Sequence, residues 1–231
     1  MHTLGYRSRV SVIMAAAASL FTLASAHADL TLTGDTRFMS AEFRLDRPDG
    51  SSGGGPFTVT PAFGRDQFGS SATPGDFRNG NQVYVSPNFQ ESSFRSDRIV
   101  ARGTFGATSN TAPGYSGMAR VVNRVDYRFS VEEGEQWTIQ GTTSGNGFFQ
   151  LFDPSGNLLI ANSGMQMGWS VPGSYRLLAG DDGVGNSSAT SSGGSDTYEG
   201  TFDVTITVPT PGAAAVGAMG LIAVGGRRRR A

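Results

Sequence analysis

The 231-residue chain contains no cysteine and no lysine, and its only histidines are His2 and His27. Both histidines fall in the first 28 residues, which read as an export leader. The remainder therefore has no imidazole, thiol or lysine amine to act as nucleophile or base near neutral pH. It lacks the usual ligands of zinc, copper and haem iron. No Ser-His-Asp or Cys-His arrangement can be assembled from it, and no disulfide can brace it. Carboxylates, hydroxyls, tyrosines and arginines remain. Most glycosidases work with carboxylates alone, so one class of enzyme survives this exclusion.

The leader has three parts in the expected order. Arg7 and Arg9 form a charged start, Val10 to Leu23 an apolar run, and Ala26-His27-Ala28 a small-x-small cleavage site. Residues 1–28 are thus expected to be a signal peptide, with the mature chain starting at Asp29. Charge is also distributed unevenly. All 19 acidic residues lie between Asp29 and Gly226, against 12 of the 18 arginines, so the interior carries 12 minus 19, or −7, although the whole chain is −1. An acidic domain favours solubility and disfavours nucleic acid as a partner.

The other six arginines include the terminal block Arg227, Arg228, Arg229 and Arg230. Before it, Ala213 to Gly226 carries no charge, and before that Pro209 and Pro211 end the preceding strand by fixing φ and removing two donors. The apolar run is shorter than the roughly 17–25 residues of a spanning helix, a deficit that snorkelling arginines reduce. Cationic residues hold to the cytoplasmic side of a membrane.

Turn, apolar run and arginine block in this order resemble the C-terminal sorting signal of PEP-CTERM proteins. The matching residues are Pro209, Thr210, Pro211 and Gly212, the run to Gly226, and Arg227 to Arg230. Thr210 stands where that family usually has Glu. The resemblance implies an exosortase-type processing enzyme as partner and transient residence in the inner membrane. It further implies delivery to the cell envelope or the exopolysaccharide matrix of a biofilm. It covers about a tenth of the chain.

Between the termini the pattern is all-β. Short alternating runs are separated by Gly, Ser, Asn and Asp clusters, and no long stretch has helical periodicity. Met39, Ala41, Phe43 and Leu45 alternate with Ser40, Glu42 and Arg44, and Val125, Tyr127, Phe129 and Val131 with Asp126, Arg128 and Ser130. Phe202, Val204, Ile206 and Val208 alternate with polar residues in the last strand. Asp153-Pro154-Ser155-Gly156-Asn157 is a tight-turn signature, with proline early and glycine free to take positive φ. Asp49 to Gly55 reads as a flexible tip, Phe63-Gly64 and Phe68-Gly69 as parts of one long irregular loop between strands at Phe57 to Phe63 and Gln82 to Ser86, and Gly183 to Ser195 as a long loop. Thr108 to Gly117 reads as a domain sub-boundary or only a loop. Ten to twelve short strands point to a β-sandwich over 29–208, with a jelly-roll as one arrangement of it, and a C-terminal hydrophobic helix over 209–231. The second half, through DYRFSVEEGEQWTIQG, LFDPSGNLL and PGSYRLLAG, resembles bacterial pre-peptidase C-terminal modules, which implies a small non-catalytic β-sandwich.

Four groups are candidate sites. Asp181, Asp182, Asn186 and Asp196 lie on acidic, Gly-bearing sequence of the kind that supplies oxygen ligands to calcium, the one cofactor left open, although their spacing matches no EF-hand loop. Glu132, Glu133 and Glu135 form a carboxylate cluster, but in a turn that places them in water. Glu42 and Glu91 would need to meet in one cleft to act as an acid–base pair. Trp137 and Trp169 with Phe63, Phe68 and Phe77 are candidates for an aromatic platform under sugar rings, with Trp137 at a core-facing position. The leading expectation is a non-enzymatic exported surface or matrix protein. A carbohydrate-binding module, assisted by calcium or not, is the alternative, and a carboxylate-dependent glycosidase or lyase the third reading.

Overall fold

The last strand shows how this sequence makes a sheet. In Ser195–Thr207, Phe202, Val204 and Ile206 are buried while Thr201 and Asp203 are exposed, the period-2 alternation of a strand with one wet face. A computed structural model describes residues 29–60, 67–72, 75–77, 79–181 and 188–208. All of them belong to one unit, Ala28–Pro209. The leader residues Ala26 and Ala28 and the tail with Pro209, Thr210, Pro211, Gly212 and Arg227 to Arg230 lie outside the described residues. Among the described residues no helix is long and apolar enough to cross a membrane.

The architecture is all-β, two antiparallel sheets packed as a sandwich. The strands, in chain order, are β1 (Thr31–Asp46), β2 (Ser52–Val59), β3 (Gln67–Ala72), β4 (Gly75–Asp76), β5 (Gln82–Val85), β6 (Asn88–Phe94), β7 (Arg98–Asn110) and β8 (Ser116–Ser130). They continue as β9 (Gln136–Gly145), β10 (Gly147–Phe152), β11 (Leu158–Ala161), β12 (Gly164–Trp169), β13 (Tyr175–Asp181), β14 (Ser188–Ser192) and β15 (Ser195–Thr207). The first sheet runs β11-β10-β13-β8-β1-β2, with β14 also on β8. The second runs β12-β9-β15-β7-β5-β4, with β6 on β7 and β3 on β6. Residues 111–115 link β7 to β8 and carry the chain from one sheet to the other.

Three stretches differ from the sequence expectation. Ser52 to Gly55 is strand, not flexible tip: Gly53, Gly54 and Gly55 pair with Leu45, Arg44 and Phe43. Gly54 takes φ 143°, and a Cβ there would overlap the Phe43 carbonyl, so glycine permits the close strand approach. Within the two expected loops, Gln67–Ala72 and Ser188–Ser192 are edge strands on β6 and β8. Their Ser- and Gly-rich sequences show no apolar alternation, and in the second only Ala189 is a buried apolar residue.

A bulge between Leu32 and Gly34 switches the parity of β1. Before it, even-numbered Leu30 faces inward; after it, Met39, Ala41 and Leu45 do. The same shift sends Asp35 and Arg37 inside. Their side chains are 2% and 0% exposed, joined at 2.5 and 2.6 Å, with the Arg37 guanidinium 5.2 Å from the Tyr127 ring centroid. Beside this pair a polar seam crosses the sandwich. Asn123 Nδ2 of β8 donates to Asn88 Oδ1 at 2.9 Å and to the Phe89 carbonyl at 2.8 Å on β6. Gln90 Nε2 returns from β6 to Asn123 Oδ1 at 2.6 Å and the Arg124 carbonyl at 3.0 Å. All three amide residues are fully buried.

A buried donor or acceptor stripped of its partner costs the full desolvation of that group. Asn123→Ala orphans Asn88 Oδ1 and part of the Gln90 amide. It is expected to destabilise the domain by about 2–3 kcal/mol, read as a lowered urea midpoint with an unchanged m-value. Tyr127 gives a second test. Burial raises its hydroxyl from the usual 10 to about 12, opposed by the Arg37 charge. The unfolded state loses this proton first, so the tyrosine's contribution is intact below pH 10 and falls as pH rises from about 10 to about 12, by about 1.4 kcal/mol per unit. Chemical denaturation at pH 9 and 11 should show that slope, and Tyr127→Phe should lower it by about one proton.

Candidate functional site

The outer face of the first sheet is built on β8 and β1. Alternation along β8 sends Ala119, Val121, Asn123, Val125, Tyr127 and Phe129 inward. Arg120, Val122, Arg124, Asp126 and Arg128 face out. Across the ladder on β1, Arg120 pairs with Glu42, Val122 with Ser40, and Arg124 with Phe38. Arg128 pairs with Arg176 of β13. Successive arginines on β8 are four residues apart, about 14 Å at strand rise.

Two concavities open on this face. The first, about 420 Å³, is lined by Phe38, Ser40, Glu42, Pro56, Thr58, Arg120, Arg124 and Asp181. The second, about 450 Å³, is lined by Arg128, Phe152, Asp153, Pro154, Ser174 and Arg176. Some of these charges are internally engaged. Arg176 grips Asp126 through two hydrogen bonds of 3.0 and 2.7 Å, which hold its guanidinium pKa above the usual value. Asp153 accepts from the Asn157 side chain and from the Asn157 and Ser155 backbone, which hold it below the usual carboxylate range. Arg124 lies 5.8 Å from the Phe38 ring centroid and 3.9 Å from Asp181. Arg120 and Arg128 have no ion-pair partner among the described residues. The Arg128 stem lies across Gly34, where a Cβ would meet three of its carbons at 3.2–3.4 Å.

A second exposed feature is the edge of the other sheet. On β12, Met165, Met167 and Trp169 alternate outward and are 64%, 59% and 68% exposed. Gly168 faces in, where a Cβ would overlap the indole of Trp137. That indole is buried and packs edge-on to Tyr175 at 6.2 Å. Phe77 is exposed and stacks on Tyr84 at 5.2 Å, next to β4 at the far end of the strand order from β12. Phe68 sits on β3, and Phe63 lies outside the described residues. Trp137, Trp169 and Phe77 therefore form no common platform, because core packing takes the first and five strand steps separate the other two.

The carboxylate candidates are also separated. Asp181 is fully buried, 3.4 Å from the Asn123 backbone N–H that it accepts. Asp196 accepts the backbone N–H groups of Thr190 and Thr197, bracing the tight connection from β14 to β15. Asp182 and Asn186 lie outside the described residues. Among the described residues no three metal-ligating side chains converge. Glu132 and Glu133 are exposed in a turn pinned by the buried Ser170, whose hydroxyl donates to the Glu132 carbonyl and accepts from Glu135 N–H. Glu42 and Glu91 face out from different sheets, and Glu91 is held by Arg102 at 2.9 Å. They share no cleft.

The arginine row escaped the sequence reading, which credited β8 only from Val125 onward. Its signal was present in MARVVNRVDYR: arginine at every fourth position is one face of a strand. No protein-family model matches the chain, and comparisons with curated proteins and with solved structures give no match.

Proposed function

We propose that this chain is an exported, non-enzymatic surface or matrix protein, delivered through its Pro-x-Pro, apolar and arginine tail. The sequence of the two termini motivates the export and sorting steps. The observation that best supports a non-catalytic role is where the shifted ionisable groups sit. Asp49 is lowered by hydrogen bonds from Ser51 and Asp153 by those from Asn157, both at turns. Arg102 and Arg176 are raised by Glu91 and Asp126 across strands, and Tyr127 by burial in the core. Perturbed groups gathered in one cleft are a mark of catalysis; here only Asp153 and Arg176 line the same concavity, and each of the five has a structural cause.

A carbohydrate-binding role is the second reading, favoured by the exposure of Trp169. An indole on a sheet edge offers a flat apolar face to a sugar ring without loss of core packing. Trp169→Ala is accordingly expected to change stability by no more than about 0.5 kcal/mol.

The sorting step has a direct test. Intact mass and C-terminal peptide mapping of the protein recovered from its host should give a chain that starts near Asp29 and ends near Pro209–Gly212. A chain still ending in Arg227 to Ala231, or a tail-deleted form reaching the same place in the same state, overturns the sorting step.

A further inference from the structure

We propose that the outer face of the first sheet is a binding track for an acidic, uronate-bearing polysaccharide, with one sugar unit seated in each of its two concavities. The inference deepens the carbohydrate reading above and rests on it, but places the ligand on the opposite sheet from Trp169.

The two concavities repeat one chemistry. Each combines an arginine, a hydroxyl, an aromatic ring and a proline: Arg120, Ser40, Phe38 and Pro56 in the first, Arg128, Ser174, Phe152 and Pro154 in the second. That set suits a carboxylated sugar. A planar guanidinium takes a carboxylate through two parallel hydrogen bonds, small hydroxyls meet ring hydroxyls, and apolar rings cover the C–H face. The two sites lie along one strand, eight residues or about 27 Å apart, with Arg124 between them. A linear polymer can span that length.

Charge makes the polymer an anion. In a domain whose interior sums to −7, this face leaves Arg120 and Arg128 unpaired among the described residues, while Asp126, Asp153 and Asp181 are engaged by their own neighbours. The row therefore attracts anions. Yet Glu42 stands opposite Arg120 and Asp126 lies between Arg124 and Arg128. Acids at these positions repel phosphate and uronate chains alike, so the choice of a glycan rests on the hydroxyl, aromatic ring and proline beside each arginine. Glu42 also supplies an acceptor for sugar hydroxyls in the first concavity.

The test is affinity electrophoresis of the full chain in gels containing polygalacturonate, dextran or single-stranded DNA, at low and moderate salt. Retardation by polygalacturonate is expected, weakening as salt rises and falling about tenfold in apparent affinity in the double variant Arg120→Ala/Arg128→Ala. Arg120→Lys/Arg128→Lys keeps the charge and loses the fork, so it should recover only part of the binding. Thermal unfolding of each variant checks that these outward-facing changes leave the fold intact. No retardation by polygalacturonate, or retardation indifferent to the arginine variants, overturns the track. Equal retardation by dextran overturns the acidic preference, and equal arginine-dependent retardation by DNA overturns the glycan assignment. If binding survives the arginine variants but disappears with Trp169→Ala, the carbohydrate reading stands and the track falls.

Discussion

The fold depends on one constraint: amide side chains placed between two sheets must find partners on the opposite sheet or not be there at all. Asn123 meets this by bonding to Asn88 and the Phe89 carbonyl, and Gln90 by reaching back to Asn123 and the Arg124 carbonyl. Apolar packing is non-directional and tolerates sliding of one sheet over the other. These bonds do not, since a slip of one residue on β6 or β8 would turn the amides outward and leave carbonyls unpaired. The seam thus sets the register of sheet on sheet, while Val125, Phe149, Leu177 and Ile206 supply the area that is removed from water. With no cysteine to form a disulfide, a polar lock is one of the few directional devices left to a domain of this size.

Fixing the core register also fixes both outer faces. Because Asn123 and Tyr127 point inward, Arg120, Arg124 and Arg128 point outward in a line; the lock and the arginine row are two consequences of one alternation. The bulge in β1 works in the same way. It brings Arg37 and Asp35 inside as a closed pair and leaves Phe38, Ser40 and Glu42 on the outer surface opposite the arginines. The two faces of the sandwich consequently differ in chemistry. Both offer arginines, hydroxyls and shallow concavities, at Arg120 and Arg128 on the first and at Arg95, Arg98 and Arg102 on the second, but the second also ends in the apolar edge strand β12.

Much of the fold was legible in the sequence because long half-buried strands announce themselves. The alternation in β15 and in the second half of β8 gave their inward residues, and the Asp153–Asn157 turn appeared as expected, with Gly156 at φ 85°. Strands that pair only by backbone were not legible. β14 and the glycine end of β2 carry few apolar side chains, so their sequence looks like loop. The inward polar residues were harder still. Asn88, Gln90 and Asn123 break the apolar alternation, and only the opposite sheet, remote in sequence, explains why they are tolerated inside. The aromatic platform failed for a related reason: composition counts rings, but Trp137 is bound to the core by its packing against Gly168 and Tyr175, and Phe77 belongs to the other end of the sheet.

The edge strand β12 bears on how such a domain meets other chains. Sheet edges ordinarily carry charge, proline or a bulge that discourages pairing with another chain. GMQMGW has no charged residue and no proline, and its three large side chains face solvent in one row. Two features moderate the hazard within the strand itself. It is only six residues long, and its two glycines weaken any added pairing. Gly168 is required by the Trp137 indole beneath it, so packing of the core has already constrained the edge. Exposed Met and Trp at positions that the core leaves free are therefore not a by-product of burial. They cost solubility without adding to the stability of the sandwich, which places their use, like that of the arginine row, on the surface.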